Sequence, residues 1–212
     1  MTVEVVILAA GQGTRMRSRL PKVLHEVGGR PMLAHVLDAA RALEPTANHV
    51  VVGHGAAAVR ETLAAPDVTF VEQPEQLGTG DAVRCAGPDF PGADWVLVLN
   101  ADVPLLRGAT LSTWLTALDG SNADVGILTA HPADPSGYGR ILRDDRGCVT
   151  GIREEKDASD DERAIGEVFT GIIAVRGPRL GPWLGELTAD NAQGEYYLTD
   201  VVGLAAAEGG VH

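Results

Sequence analysis

Val3-Glu4-Val5-Val6-Ile7-Leu8-Ala9 runs without a break into Ala10-Gly11-Gln12-Gly13-Thr14-Arg15-Met16, and Leu20-Pro21-Lys22 follows. A short apolar run handing over to a glycine-rich loop reads as a buried strand that ends in a tight turn. Between Ala10 and Lys22 lie four cations, Arg15, Arg17, Arg19 and Lys22, and no acid. The whole chain, by contrast, carries 17 basic and 29 acidic residues, a formal net charge of −12. A basic, glycine-rich loop after the first strand of an acidic protein suits a polyanion, most simply a nucleoside triphosphate.

Outward from this loop the chain alternates. Apolar runs suit buried strands at Val3–Ala9, His49–Val52, Val68–Val71, Trp95–Asn100 and Val125–Thr129. Helical patterns lie between them at Pro31–Leu43, Ala56–Leu63, Thr79–Cys85 and Gly108–Leu118, the first with proline in its opening turn. Such alternation predicts a parallel sheet covered on both faces. From about residue 137 shorter strand-like pieces follow, Gly139–Arg143, Val149–Glu154 and Val168–Val175, and a last helix from about Tyr197 to Ala207. The predicted fold class is α/β: a Rossmann-like mixed, mostly parallel sheet flanked by helices. One domain is expected over residues 1–212, with a nucleotide-binding part to about 136 and a lobe from about 137 that completes a pocket.

Composition narrows the class. At 212 residues the chain is long enough for one α/β domain with a sizeable core. Its acidic balance argues against a nucleic-acid partner. No apolar run approaches the ~20 residues of a membrane span, and no cleavable leader precedes the first strand, so no membrane partner is expected. Cys85 and Cys148 stand far apart and outside any metal-ligand spacing, which suggests reduced thiols in a cytoplasmic protein. Oligomeric state is left open.

In such sheets ligands bind beyond the carboxyl ends of the strands, so the loops there carry the chemistry. The opening loop is neither a Rossmann fingerprint, since its third glycine would fall at Met16, nor a Walker P-loop. Gly11 and Gly13 can still bring backbone N–H groups to phosphate oxygens, with Arg15 and Lys22 neutralising charge. The competing reading is a tight turn with solvated cations. Asn100-Ala101-Asp102-Val103-Pro104 places a carboxylate just past an apolar strand, which suits Mg²⁺ or, equally, a turn. Gln73-Pro74-Glu75-Gln76-Leu77-Gly78-Thr79-Gly80 could read a pyrimidine edge through glutamine, with Gly78 admitting a flat base. It could also be an ordinary loop with a threonine cap.

Together the loops resemble a known family. Leu8-Ala9-Ala10-Gly11, Gly13-Thr14-Arg15-Met16, Pro21-Lys22-Val23-Leu24 and Asp102-Val103-Pro104 are similar to the signature of sugar-phosphate nucleotidyltransferases. Gln73–Gly80, Gly137-Tyr138-Gly139-Arg140-Ile141, Glu154 with Lys156-Asp157-Ala158, and Asn191-Ala192-Gln193-Gly194-Glu195-Tyr196-Tyr197-Leu198-Thr199-Asp200 resemble, more narrowly, the pyrophosphorylase domain of bacterial N-acetylglucosamine-1-phosphate uridylyltransferases. That resemblance implies transfer of UMP from UTP to a sugar 1-phosphate with release of pyrophosphate, and Mg²⁺ as cofactor. It implies catalytic roles for Arg15, Lys22 and Asp102, with Asp102 as metal ligand. Nucleotide contacts would come from Leu8, Ala9, Ala10, Gly11, Gly13, Lys22, Gln73, Gln76, Gly78, Thr79, Asn100 and Ala101. The sugar would meet Gly139, Glu154, Phe169, Glu195, Tyr197 and Thr199.

The chain also departs from that pattern. Phe169 stands where the family has an asparagine that contacts the sugar, Ala101 where glycine is frequent, Asp81 where histidine is usual, and Arg19 where an acidic or neutral residue is common. The hexapeptide repeats of an acetyltransferase β-helix do not occur, so acetyl transfer is not expected. No residue matches the asparagine that supplies the family's second metal ligand. These departures leave open another sugar phosphate or phosphorylated small molecule as acceptor, or a nucleotide-binding relative without turnover.

Overall fold

The computed structural model describes residues 1–211 except 12, 14, 15 and 88. In chain order it forms β1 (Val3–Ala9), a 3-10 turn (Lys22–Leu24), β2 (Glu26–Val27), β3 (Arg30–Pro31), α1 (Met32–Arg41), β4 (Ala47–Val52), α2 (Ala56–Leu63), β5 (Val68–Glu72), α3 (Thr79–Ala86) and β6 (Trp95–Asn100). There follow α4 (Gly108–Asp119), β7 (Val125–Ala130), β8 (Arg140–Arg143), β9 (Val149–Arg153), α5 (Asp160–Arg163), β10 (Val168–Arg176), α6 (Gly177–Glu186) and α7 (Asp200–Ala207).

Eight of the strands make one mixed sheet in the order β5-β4-β1-β6-β10-β8-β9, with β7 paired to β10. The β5, β4, β1 and β6 strands are parallel, so their carboxyl ends share one edge. β10 runs antiparallel to both β6 and β7. The parallel part of the sheet stops at β6: a late strand inserts there and leaves β7 on its far side, which gives the mixed, mostly parallel sheet that was expected. β1 is an interior strand between β4 and β6, with Val5 and Ile7 buried among α1 and α4 on one face and Val6 buried among α3, α6 and α7 on the other. Burial on both faces is why these strands read as continuous apolar runs.

Three elements were not predicted. The β2–β3 hairpin has two-residue strands, and α5 is a single turn held by a capping box between Ser159 and Glu162. α6 contains Pro178 and Pro182 and forms because Leu180, Trp183 and Leu184 are buried against the sheet. α7 begins at Asp200, three residues after the predicted start, because Tyr197–Thr199 is occupied in bracing the neighbouring loop.

Candidate active site

Two cavities open at the carboxyl edge of the parallel strands. The larger, about 660 Å³, lies between the loops after β1, β5 and β6; the smaller, about 360 Å³, lies between β6, β9 and β10. Leu8, Thr79, Asn100 and Asp102 line both, so the two form one continuous cleft.

The register of β1 and β6 builds its centre. Leu8 pairs with Asn100, and the Ala101 N–H donates to the Leu8 carbonyl at 3.1 Å, extending the ladder by one residue. Asp102 then leaves the sheet facing the opening loop, where the Lys22 ammonium pairs with its carboxylate. Gly13 makes this approach possible. Its φ is +60°, and a Cβ there would stand 2.6 Å from Lys22 Cβ, so glycine is needed where the lysine stem crosses the loop. Gly11 has no neighbour within 4 Å of an added Cβ and faces open space. Of the described cations in this segment, Lys22 lines the cleft, whereas Arg17 and Arg19 are exposed and line neither cavity. Arg15 lies outside the described residues.

The loop after β5 forms the opposite wall. Gln76 reaches across the cleft and donates from Nε2 to the Ala10 carbonyl at 2.8 Å. Gln73 is buried, and its Nε2 donates to the Gly78 carbonyl at 3.1 Å and to Asp81 Oδ2 at 2.8 Å. The reason for glycine at 78 differs from the sequence expectation. Its φ is +114°, and a Cβ would sit 2.6 Å from the Tyr196 carbonyl oxygen, so it is the 195–196 backbone that lies close. Nor is Thr79 a helix cap: Gly78 holds that position, and the Thr79 hydroxyl accepts from the Leu198 N–H at 2.9 Å. With Gly80 N donating to Tyr196 O, and Tyr196 N to Leu77 O, the 196–198 segment is laced to the start of α3.

Around the smaller cavity, Glu154 directly follows β9 and accepts from the Thr199 hydroxyl at 2.9 Å. Burial pushes the Glu154 carboxyl above the ordinary carboxylate range, partly offset by that hydrogen bond and reinforced by Asp200, Asp157 and Glu195. Gly139 packs beside it, with Ile152 Cγ2 only 2.8 Å from where a Cβ would be. Phe169 lines the same cavity, and its N–H donates to the Gly139 carbonyl at 2.8 Å.

Three expected contacts sit elsewhere. Ala101 is buried in the core, with its methyl under the sheet rather than in either cavity. Glu195 lines the larger cavity, not the one with Glu154. Tyr197 lines neither: its hydroxyl donates to Asp157 Oδ2 at 3.1 Å and accepts from Gln193 Nε2 at 2.8 Å. Burial raises that phenol to about 12, so it stays protonated and bracing.

Residues missed in the sequence include Met16, Val23 and Ala82 in the larger cavity, and Val98, Val103, Gly137, Tyr138, Thr170, Gly171 and Leu198 in the smaller. Gly171 carried a readable signal, an isolated glycine inside a strand pattern. The β10 register shifts between Phe169 and Ile173, and a Cβ on Gly171 would lie 2.1 Å from Asn100 Nδ2.

This arrangement can take an anionic ligand along the Gly11–Gly13 side, a flat group against Gln73, and a hydroxylated group by Glu154. Residues 5–166 match the family model described as MobA-like NTP transferase domain. The chain is 57% identical over 209 residues to "Bifunctional protein GlmU" of Pseudomonas aeruginosa, covering 99% of this chain and 45% of that protein. It is 56% identical over 209 residues to the protein of the same name in Pseudomonas putida, again covering 99% of this chain and 45% of that one. The chain thus spans under half the length of these relatives. Among solved structures, a Bacillus anthracis protein assigned as a glucose-1-phosphate thymidylyltransferase superposes with a TM-score of 0.79 at 19% identity, over 99% of this chain and 85% of that one. A UDP-glucose pyrophosphorylase complexed with UDP-glucose gives 0.76 at 16% identity, over 98% and 88%. The shared fold, the cleft at the strand ends and the family match over β1 to α5 converge: the chain belongs to the MobA-like NTP transferase domain family.

Proposed function

We propose that this chain is a single nucleotidyltransferase domain that transfers UMP from UTP to N-acetylglucosamine 1-phosphate, releasing pyrophosphate. The observation that carries the reading is the meeting of Lys22 and Asp102 at the point where the two cavities join. The larger cavity would hold the nucleotide, mainly from residues up to about 136, and the smaller the sugar, mainly from residues beyond. The acceptor's phosphate oxygen attacks the α-phosphorus as the O–P bond to pyrophosphate breaks on the opposite side. An anion attacking an anionic centre needs alignment and charge neutralisation more than a base. Lys22, with Arg15, would neutralise phosphate oxygens, and the Gly11–Gly13 backbone would cradle them. Glu154 and Thr199 would orient the sugar through its hydroxyls.

The donor set fits Mg²⁺. Asp102 is a hard oxygen donor in a cleft where it already accepts one cation, the Lys22 ammonium, and Mg²⁺ is commonly held by one or two carboxylates plus phosphate oxygens and water. When bound there it would supply further charge neutralisation of the phosphates. The chemistry suits a cytoplasmic enzyme acting on small soluble substrates, consistent with no described helix being long and apolar enough to cross a membrane.

A second reading is favoured by Phe169, which faces the smaller cavity without a polar group: the acceptor is another sugar phosphate. Pyrophosphate release measured across a matrix of nucleotides and sugar phosphates separates the two. Turnover with UTP and N-acetylglucosamine 1-phosphate is expected, improved by Phe169→Asn. Turnover with a different acceptor alone would establish the second reading, and tight UTP binding without release would overturn both.

A further inference from the structure

Asp81 stands in the first turn of α3, behind Gln73 as seen from the larger cavity, which Gln73 lines and Asp81 does not. Both groups that receive the Gln73 amide nitrogen, the Gly78 carbonyl and the Asp81 carboxylate, are acceptors. The amide therefore has one favourable orientation, with nitrogen toward them and Oε1 turned away. With both N–H groups engaged, and Oε1 without a partner among the described residues, Gln73 offers the cavity an acceptor and no donor.

We propose that Asp81 is a positioning residue that fixes base specificity: by holding the Gln73 amide, it makes the cavity select a base with a ring N–H, such as a uracil-type imide. Cytosine has the same size and shape but presents a ring nitrogen lone pair at that place, which would face Oε1 acceptor to acceptor. The Gly78 carbonyl alone holds one N–H. Without Asp81 the second is released, and the amide can turn it toward the cavity and accept cytosine. This inference rests on the larger cavity being the nucleotide site.

The test compares kcat/KM for UTP and CTP, by pyrophosphate release with one sugar phosphate acceptor. Asp81→Leu is expected to shrink the UTP-over-CTP ratio by about tenfold or more, as loss of an oriented polar contact does. Asp81→Asn keeps an acceptor oxygen and should restore the ratio, which a merely structural role would not predict. A UTP-selective wild type with the same ratio in Asp81→Leu overturns this inference alone. A wild type without base preference overturns it together with the nucleotide assignment. Should Asp81→Leu not fold, NMR of the unaltered chain decides. Gln73 side-chain amide protons protected from exchange with UTP bound support the proposal, and nuclear Overhauser contacts between those protons and the base overturn it.

Discussion

Lys22 and Asp102 show how one lost atom at Gly13 shapes the centre of the site. The loop turns through a positive φ that alanine adopts reluctantly, and the space a Cβ would need is filled by the Lys22 stem. The lysine is thereby carried across the loop to the carboxylate at the end of β6, and neither residue could be placed so by local propensity alone. Asp102→Asn keeps the shape and removes the charge, so it isolates what the carboxylate contributes electrostatically. Removing ~4 kcal/mol of transition-state stabilisation slows turnover about a thousandfold. Asp102→Asn is expected to lower the rate of pyrophosphate release by about that factor. Near-normal turnover in a folded Asp102→Asn variant would remove Asp102 from the reaction.

Elements were legible in proportion to how much of their burial is written as an uninterrupted pattern. β1, α2 and β6 have the predicted bounds, because each is a compact apolar or periodic run with clear punctuation. α6 was invisible for the opposite reason. Gly177-Pro178, Gly181-Pro182 and Gly185 argue against a helix by propensity, and only packing against the sheet overrides them. The candidate site divides the same way. Loop segments at strand ends could be found from topology, whereas the direction of a side chain within a segment could not. Ala101 and Tyr197 belong to the right stretches and point away, since one faces the core and the other is captured by Asp157 and Gln193. Gly177 supplies a test at this scale. A Cβ there would meet the Ala93 carbonyl oxygen at 2.2 Å and the Phe90 carbonyl oxygen at 2.5 Å, both backbone atoms with little room to move. Gly177→Ala is therefore expected to destabilise the chain by ~1–3 kcal/mol, the usual range for overpacking. Gly185→Ala, on the same helix with open space around it, should leave stability unchanged or raised. Equal denaturation midpoints for the two variants would mean that the start of α6 does not dock as described.

At the scale of the molecule, a chain of net charge −12 buries a carboxylate where it already has a surplus of them. Glu154 is desolvated and faces the charges of Asp200, Asp157 and Glu195, and Asp200 is itself raised chiefly by burial. The folded-state pKa of Glu154 lies above its unfolded value of 4.5, so the native state binds the proton more tightly. Its favourable contribution to folding is then fully present below 4.5 and is lost as pH rises through the raised folded value. At neutral pH the ionised group weighs against the fold. Glu154→Gln retains an acceptor for the Thr199 hydroxyl and removes the charge. It should be more resistant to urea than wild type at neutral pH, with the advantage fading as pH falls through the raised folded value and gone below 4.5, where the wild-type carboxyl is neutral as well. Acceptor use should move the other way, with a higher KM for the sugar phosphate, because a neutral amide holds hydroxyls less strongly than a carboxylate. Opposite signs in stability and acceptor use are what a site residue kept at a structural cost produces. A stability difference that stays constant across this pH range would show instead that the substitution acts through packing, and would leave the burial of Glu154 without consequence for the charge balance of the fold.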